Sequence, residues 1–187
     1  MKIVLIGDSI RMGYQELVRQ RVAPRAEVWG PDENCGHTLM IRDNLVQWAI
    51  APEPDVLHFN SGIWDLGWDA GTQAPRMTIR AYVRNLKLIV RALQERTRAR
   101  LIFATTTPFL KPMSANVPRE RCVVAPVVAR YNGAAVELMH EFAVEINDLY
   151  GTVMDAGVHE CLGEDRLHMA PRGNEVLAEA VARSVLG

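Results

Sequence analysis

Cysteine is scarce in this chain of 187 residues, and Cys35, Cys122 and Cys161 are odd in number and far apart. Neither a disulfide framework nor a zinc motif fits that spacing, so three reduced thiols are expected. Histidine is equally sparse. His37, His58, His140 and His159 show no ligand spacing of the His-Glu-x-x-His kind, so no metal is expected, and His58, inside an apolar run, is expected in the core. No apolar stretch is long enough to span a bilayer, and Asp8 interrupts the first apolar run too soon for a signal-peptide core. A cytoplasmic protein without membrane contact is the expectation. No sign of charge prevails: Lys and Arg total 21 against 22 for Asp and Glu, a formal net charge of -1. Lacking a basic face, the chain is not expected to bind nucleic acid. Its glycines lack the spacing of a dinucleotide or P-loop site, and no cofactor is expected.

What the chain does have is apolar material, 49% by residue, enough for one buried core and too little length for two full domains. A single domain over 1–187 is expected. Lys2 to Ile6, Glu27 to Trp29, Val56 to Phe59, Leu101 to Thr105 and Thr152 to Met154 read as strands. Helical stripes run between them. Ile79, Val83, Leu86, Val90 and Leu93 mark one helix between Arg76 and Arg98, and Tyr131, Ala135, Leu138, Phe142, Ile146 and Leu149 mark another. A last helix begins near Pro171. Arg96 to Arg100 reads as a helix C-terminus and a solvated turn.

Strands alternating with helices predict an α/β class with a five-stranded parallel sheet covered on both faces. Such sheets bind ligands beyond the carboxyl ends of their strands. Ser9, Gly36, Asn60 to Asp65, Thr105 to Pro108 and Asp155 are therefore expected on one rim. Leu66 to Pro75 and Phe109 to Pro118, irregular and rich in Pro or Gly, are expected to overhang it.

Two segments carry chemistry. Gly7-Asp8-Ser9 follows the run Ile3 to Ile6 and opens a helix, where free backbone N–H groups favour developing negative charge. A bare helix cap explains the serine equally well. Asp165 stands three residues before His168, and in a turn its carboxylate would reach Nδ1 while Nε2 faces Ser9. Taken alone, that pair is also a solvated surface turn. Together the segments supply a nucleophile, a base and an orienting acid, because a serine hydroxyl needs a base to attack at neutral pH. Nothing near Cys35 is expected to offer it a base, so it makes the poorer nucleophile.

At these residues the chain resembles the SGNH, or GDSL, hydrolase family. Gly7-Asp8-Ser9 is similar to the first block of that family, Gly36 within Asn34 to Thr38 to the second, Gly62-Ile63-Trp64-Asp65 to the third, and Asp165 to His168 to the last. The resemblance implies a three-layer α/β/α flavodoxin-like fold, with Ser9 as nucleophile, His168 as base, Asp165 as its orienter, and the Ser9 and Gly36 N–H groups as oxyanion donors. The third block departs from the pattern, since its usual asparagine is Trp64 here. Trp64 and Asn60 each carry an N–H able to replace the missing donor. Asp8 and Asp65 are expected as turn and scaffold groups.

Asn60 to Trp64, with Arg11 and Tyr14, also resembles a related branch of acyl esterases and polysaccharide O-acetyltransferases. Arg11 falls one residue early for that branch, and a place on the helix surface is expected for it. The reading that results is a serine esterase acting on a small-molecule or sugar ester through an acyl-enzyme. Transfer to a sugar hydroxyl, sugar O-deacetylation and a catalytically silent ligand-binding module are its alternatives. Few aromatics lie along the motifs beyond Trp64 and Trp68, which favours short acyl groups such as acetyl.

Overall fold

The run Ile3-Val4-Leu5-Ile6 is apolar on every residue, and a strand alternates its side chains between faces, so such a run is buried only in the middle of a sandwich. In the computed structural model, which describes residues 1–69, 74–111 and 116–187, that is its position. The run forms β1 (Lys2–Ile6), followed by α1 (Ser9–Val22), β2 (Glu27–Trp29), α2 (Thr38–Asp43), a π-helical turn (Val46–Ile50) and β3 (Val56–Phe59). Next come α3 (Ile63–Leu66), the short strands β4 (Trp68–Asp69) and β5 (Ala74–Pro75), α4 (Ile79–Arg96) and β6 (Arg100–Ala104). The rest comprises β7 (Leu110–Lys111), a 3₁₀ turn (Arg119–Arg121), β8 (Val123–Val124), α5 (Pro126–Glu141), β9 (Glu145–Asn147), α6 (Leu149–Ala156), α7 (Val158–Cys161) and α8 (Pro171–Leu186).

Five strands form one parallel sheet in the order β2-β1-β3-β6-β9, with Val4 opposite Leu57 and Leu57 opposite Leu101. Counted by themselves these strands run 2-1-3-4-5, the flavodoxin-like order. Ile3 and Leu5 face α1, α6 and α8, packing with Tyr14, Val18, Leu177 and Val181. Val4 and Ile6 face α2, α4 and α5, packing with Trp48, Leu86, Ile89 and Leu138. The fold is therefore the three-layer α/β/α sandwich expected.

Three of the five expected strands match their observed ends, and the fourth begins one residue early. The fifth is a correction. Thr152 to Met154 lies inside α6, which Asp148 caps by accepting from the Gly151 N–H, and the strand is instead Glu145–Asn147. The stripe from Tyr131 likewise does not stay helical to Leu149. After Glu141 the chain turns back through Ala143 at φ 52°, with the Val144 N–H donating to Met139 O, and Ile146 enters the sheet. Asp155, expected on the rim, sits exposed on α6. Arg100 is in β6, paired with Glu145, rather than in a turn. The described ends of the first irregular stretch pair as the hairpin β4–β5, whereas Leu110–Lys111 of the second pairs with Val123–Val124, beyond its end. Residues 70–73 and 112–115 of those stretches lie outside the described residues.

Candidate active site

Ser9 owes its position to β1 ending at Ile6 and to Asp8, whose Oδ1 accepts from the Ile10 N–H at 2.9 Å and starts α1. No described residue accepts from the Ser9 N–H, which leaves it at the positive end of the helix dipole. Gly7 is needed there because a Cβ would lie 2.7 Å from Arg11 Cβ. Asp8 is buried with Oδ2 unpartnered among the described residues, and burial pushes its carboxyl above the usual range.

The other half of the site comes from the loop before α8. His168 Nε2 lies 2.8 Å from Ser9 Oγ, and His168 Nδ1 lies 2.5 Å from Asp165 Oδ2. Asp165 Oδ1 also accepts from the Leu167 and His168 N–H groups at 3.0 and 2.9 Å. Partial burial pushes the Asp165 carboxyl up, but the His168 ring and the two N–H groups outweigh it, so the pKa falls below the ordinary value. The loop is a tight reversal in which the Gly163 N–H donates to His168 O at 2.7 Å and Arg166 takes φ 65°.

Sequence reading missed what holds that loop. Arg119 donates to the carbonyls of Gly163, His159 and Leu162 at 3.1, 2.9 and 2.7 Å. Arg166, buried, donates to Val117 O at 2.6 Å, while its own carbonyl accepts from the Leu110 N–H at 3.0 Å. No local signal marks either role.

The remaining expected site residues divide. Trp64 is 38% exposed and lines the same cavity as Ser9 and His168. Asn60 does not join them, since its Nδ2 donates to Ala104 O at 2.8 Å, across to the next strand. Gly36 stands beside the Ser9 turn, because the Cys35 N–H donates to Gly7 O at 3.2 Å, yet its own N–H donates to Asn34 Oδ1 at 2.8 Å. Its φ of 60° suits glycine, and a Cβ would lie 2.6 Å from Met40 Sδ.

Arg11 corrects the expected surface placement. It is 2% exposed, donating to Pro31 O at 2.8 Å and Glu33 O at 2.7 Å, and so fastens the 31–35 loop to the helix that carries Ser9. The signal was available: Arg11, Tyr14, Val18 and Val22 share one helical stripe, and all are buried. Asp65 is a scaffold group, as expected. It accepts from the N–H and hydroxyl of Thr38 and from Ser61 Oγ, tying α2 to α3, and burial raises its pKa despite those bonds. His58 is fully buried with Nε2 3.1 Å from Asn147 Nδ2, and burial lowers its pKa to about 4.

A cavity of about 440 Å³ opens over Ser9 and His168. Ile10, Ile63, Leu66, Phe109, Val127 and Leu167 make it largely apolar, and Arg76 and Lys111 add positive charge. Among the described residues no group of three or more acidic, histidine or cysteine side chains is placed to hold a metal. Nor is any helix of those residues long and apolar enough to cross a membrane.

A hydroxyl bonded to an imidazole, itself bonded to a carboxylate, beside an unpaired helix N–H and an apolar cavity, is the arrangement that acyl transfer requires. No family sequence model matches the chain, and no curated protein matches it in sequence. Solved structures match it in fold over nearly the whole length. The acetyl xylan esterase AlAXEase is 16% identical with a TM-score of 0.77, over 99% of this chain and 100% of that one. A lipase/acylhydrolase from Enterococcus faecalis is 22% identical with a TM-score of 0.78, over 98% and 94%. Axe2, an acetylxylan esterase from Geobacillus stearothermophilus, is 18% identical with a TM-score of 0.76, over 98% and 93%. At such identities the likeness is one of fold, and the chain has the α/β/α fold of those enzymes.

Proposed function

We propose that the protein is a serine ester hydrolase of the SGNH type, folded as one domain over 1–187, with Ser9 as nucleophile, His168 as general base and Asp165 as the group that orients it. The observation that carries this reading is the unbroken chain of contacts, 2.8 Å from Ser9 Oγ to His168 Nε2 and 2.5 Å from His168 Nδ1 to Asp165. His168 takes the serine proton as Oγ attacks the ester carbonyl, then returns it to the departing alkoxide, leaving an acyl-enzyme. Water, deprotonated by the same imidazole, releases the acid. The oxyanion forms at the start of α1, where the Ser9 N–H is free to donate.

Small-molecule or sugar esters are the substrate class we infer, and the three buried free thiols accord with a reducing compartment such as the cytoplasm. A second reading, a silent ligand-binding module, draws on one observation: the Gly36 N–H and the Asn60 amide are both occupied within the chain. Labelling with a fluorophosphonate and a series of p-nitrophenyl esters from acetate to palmitate separate the two. Covalent labelling and turnover that Ser9→Ala abolishes support the hydrolase, and an unlabelled, inactive wild type supports the module.

A further inference from the structure

The cavity beside Ser9 is apolar along most of its wall, yet its described lining holds two cations and no carboxylate. Arg76 lies with its guanidinium carbon 5.5 Å from the centroid of the Trp64 ring and packs against Gly67, where a Cβ would approach Nη2 to 3.6 Å. Its backbone is fixed as well, with the N–H donating to Gly67 O at 2.6 Å. Among the side chains that the structure describes, which do not include that of Asp69, no carboxylate pairs with it. Lys111 reaches the same space from β7, on the strand face it shares with Phe109, and it too lacks an acidic partner there.

A guanidinium held over an aromatic face by its charge still has N–H groups left to donate, and a planar two-oxygen anion matches a pair of them. Arg76 and Lys111 are themselves exposed, so water screens their charge, and the apolar walls beside them offset that screening only in part. We propose that this cavity selects esters that carry a carboxylate, held by Arg76 and Lys111, on the part of the molecule lodged beside the triad. The proposal rests on the hydrolase reading above and names its substrate class.

The test uses two pairs of esters in which one carboxyl group is either free or methylated, each enzymatic ratio being taken relative to the pair's ratio in uncatalysed hydrolysis. p-Nitrophenyl hydrogen adipate against its methyl ester places the carboxylate on the acid side, and p-acetoxybenzoate against methyl p-acetoxybenzoate places it on the alcohol side. In at least one pair the charged ester is expected to show a kcat/KM about tenfold or more above its neutral partner, the size of one charge-assisted hydrogen bond in a half-open site. That ratio is expected to shrink in high salt and to approach one in the Arg76→Gln, Lys111→Gln double variant, with Arg76→Lys retaining part of it. The neutral partner of each pair controls for folding. Ratios near one for both pairs in the wild type, or a preference that survives the double variant, overturn the proposal while leaving hydrolysis at Ser9 standing. If none of the four is cleaved, the hydrolase reading fails instead. Calorimetric binding of the same pairs to the Ser9→Ala protein then reads the charge preference directly, and equal affinities within both pairs overturn it.

Discussion

Ser9 is no more acidic than any serine until His168 accepts its proton, so the two residues share a single step. Ser9→Ala and His168→Ala are each expected to lower kcat/KM by ~10⁴-fold or more, with the double variant little worse, because triad members act as a unit. Additive losses in the double variant, measured on a p-nitrophenyl ester, would argue against a shared step. Asp165→Asn is expected to be severe and Asp155→Asn silent, since only the first carboxylate touches the imidazole. A different histidine contributes to the pH dependence of stability. His58 has a folded-state pKa of about 4 against an ordinary value of 6.5. Between those values the unfolded chain binds a proton that the folded chain refuses, so this contribution is complete above about pH 6.5 and is lost as the pH falls toward 4, by up to ~3 kcal/mol. Urea unfolding at pH 7 and pH 4.5 should show a smaller acid loss in His58→Gln than in the wild type. Equal losses would mean that other groups carry the acid sensitivity.

Between elements, the site depends on loops that arginines fasten to backbone carbonyls. Arg119 grips three of them across residues 159–163, just ahead of Asp165. Arg119→Met is expected to cost ~1–3 kcal/mol of stability and to lower kcat at least ~10-fold with KM little changed, because a loosened loop misplaces the imidazole. Urea melts, steady-state kinetics and amide exchange across 159–168 check this. Unchanged kcat with fast exchange would show that the loop needs no such anchor. Helix and strand assignments failed where a local preference met a stronger neighbour. The β-branched Thr152 and Val153 suit a strand, but Asp148 caps a helix there and Val153 is buried in the core shared with α8. Glu145–Asn147 is three residues long with a charged first residue, a weak strand signal that pairing with β6 overrides at the sheet edge.

At the scale of the whole molecule, two cores share one sheet. Leu86 belongs to one face and Val181 to the other, and both are fully buried. If the chain is one cooperative unit, unfolding followed by tryptophan fluorescence should coincide with unfolding followed by far-UV circular dichroism. Leu86→Ala, at ~2–5 kcal/mol, should shift both curves together, as should Val181→Ala by a smaller amount. Separated transitions would divide the two faces into independent units. The sequence by itself determined the α/β class, four of the five sheet strands to within a residue, and the segments that carry Ser9, Asp165 and His168. These rest on short-range causes: apolar runs, a capping aspartate, a carboxylate three residues from a histidine. Tertiary structure alone decided which carbonyls the buried Arg11 binds, that the Asn60 amide is spent on Ala104, that Arg119 and Arg166 hold the His168 loop, and that Arg76 and Lys111 converge on one cavity. Each of these joins residues at least twenty apart in the chain, and which carbonyl or ring a long polar side chain meets is set by how the layers pack rather than by its neighbours in sequence.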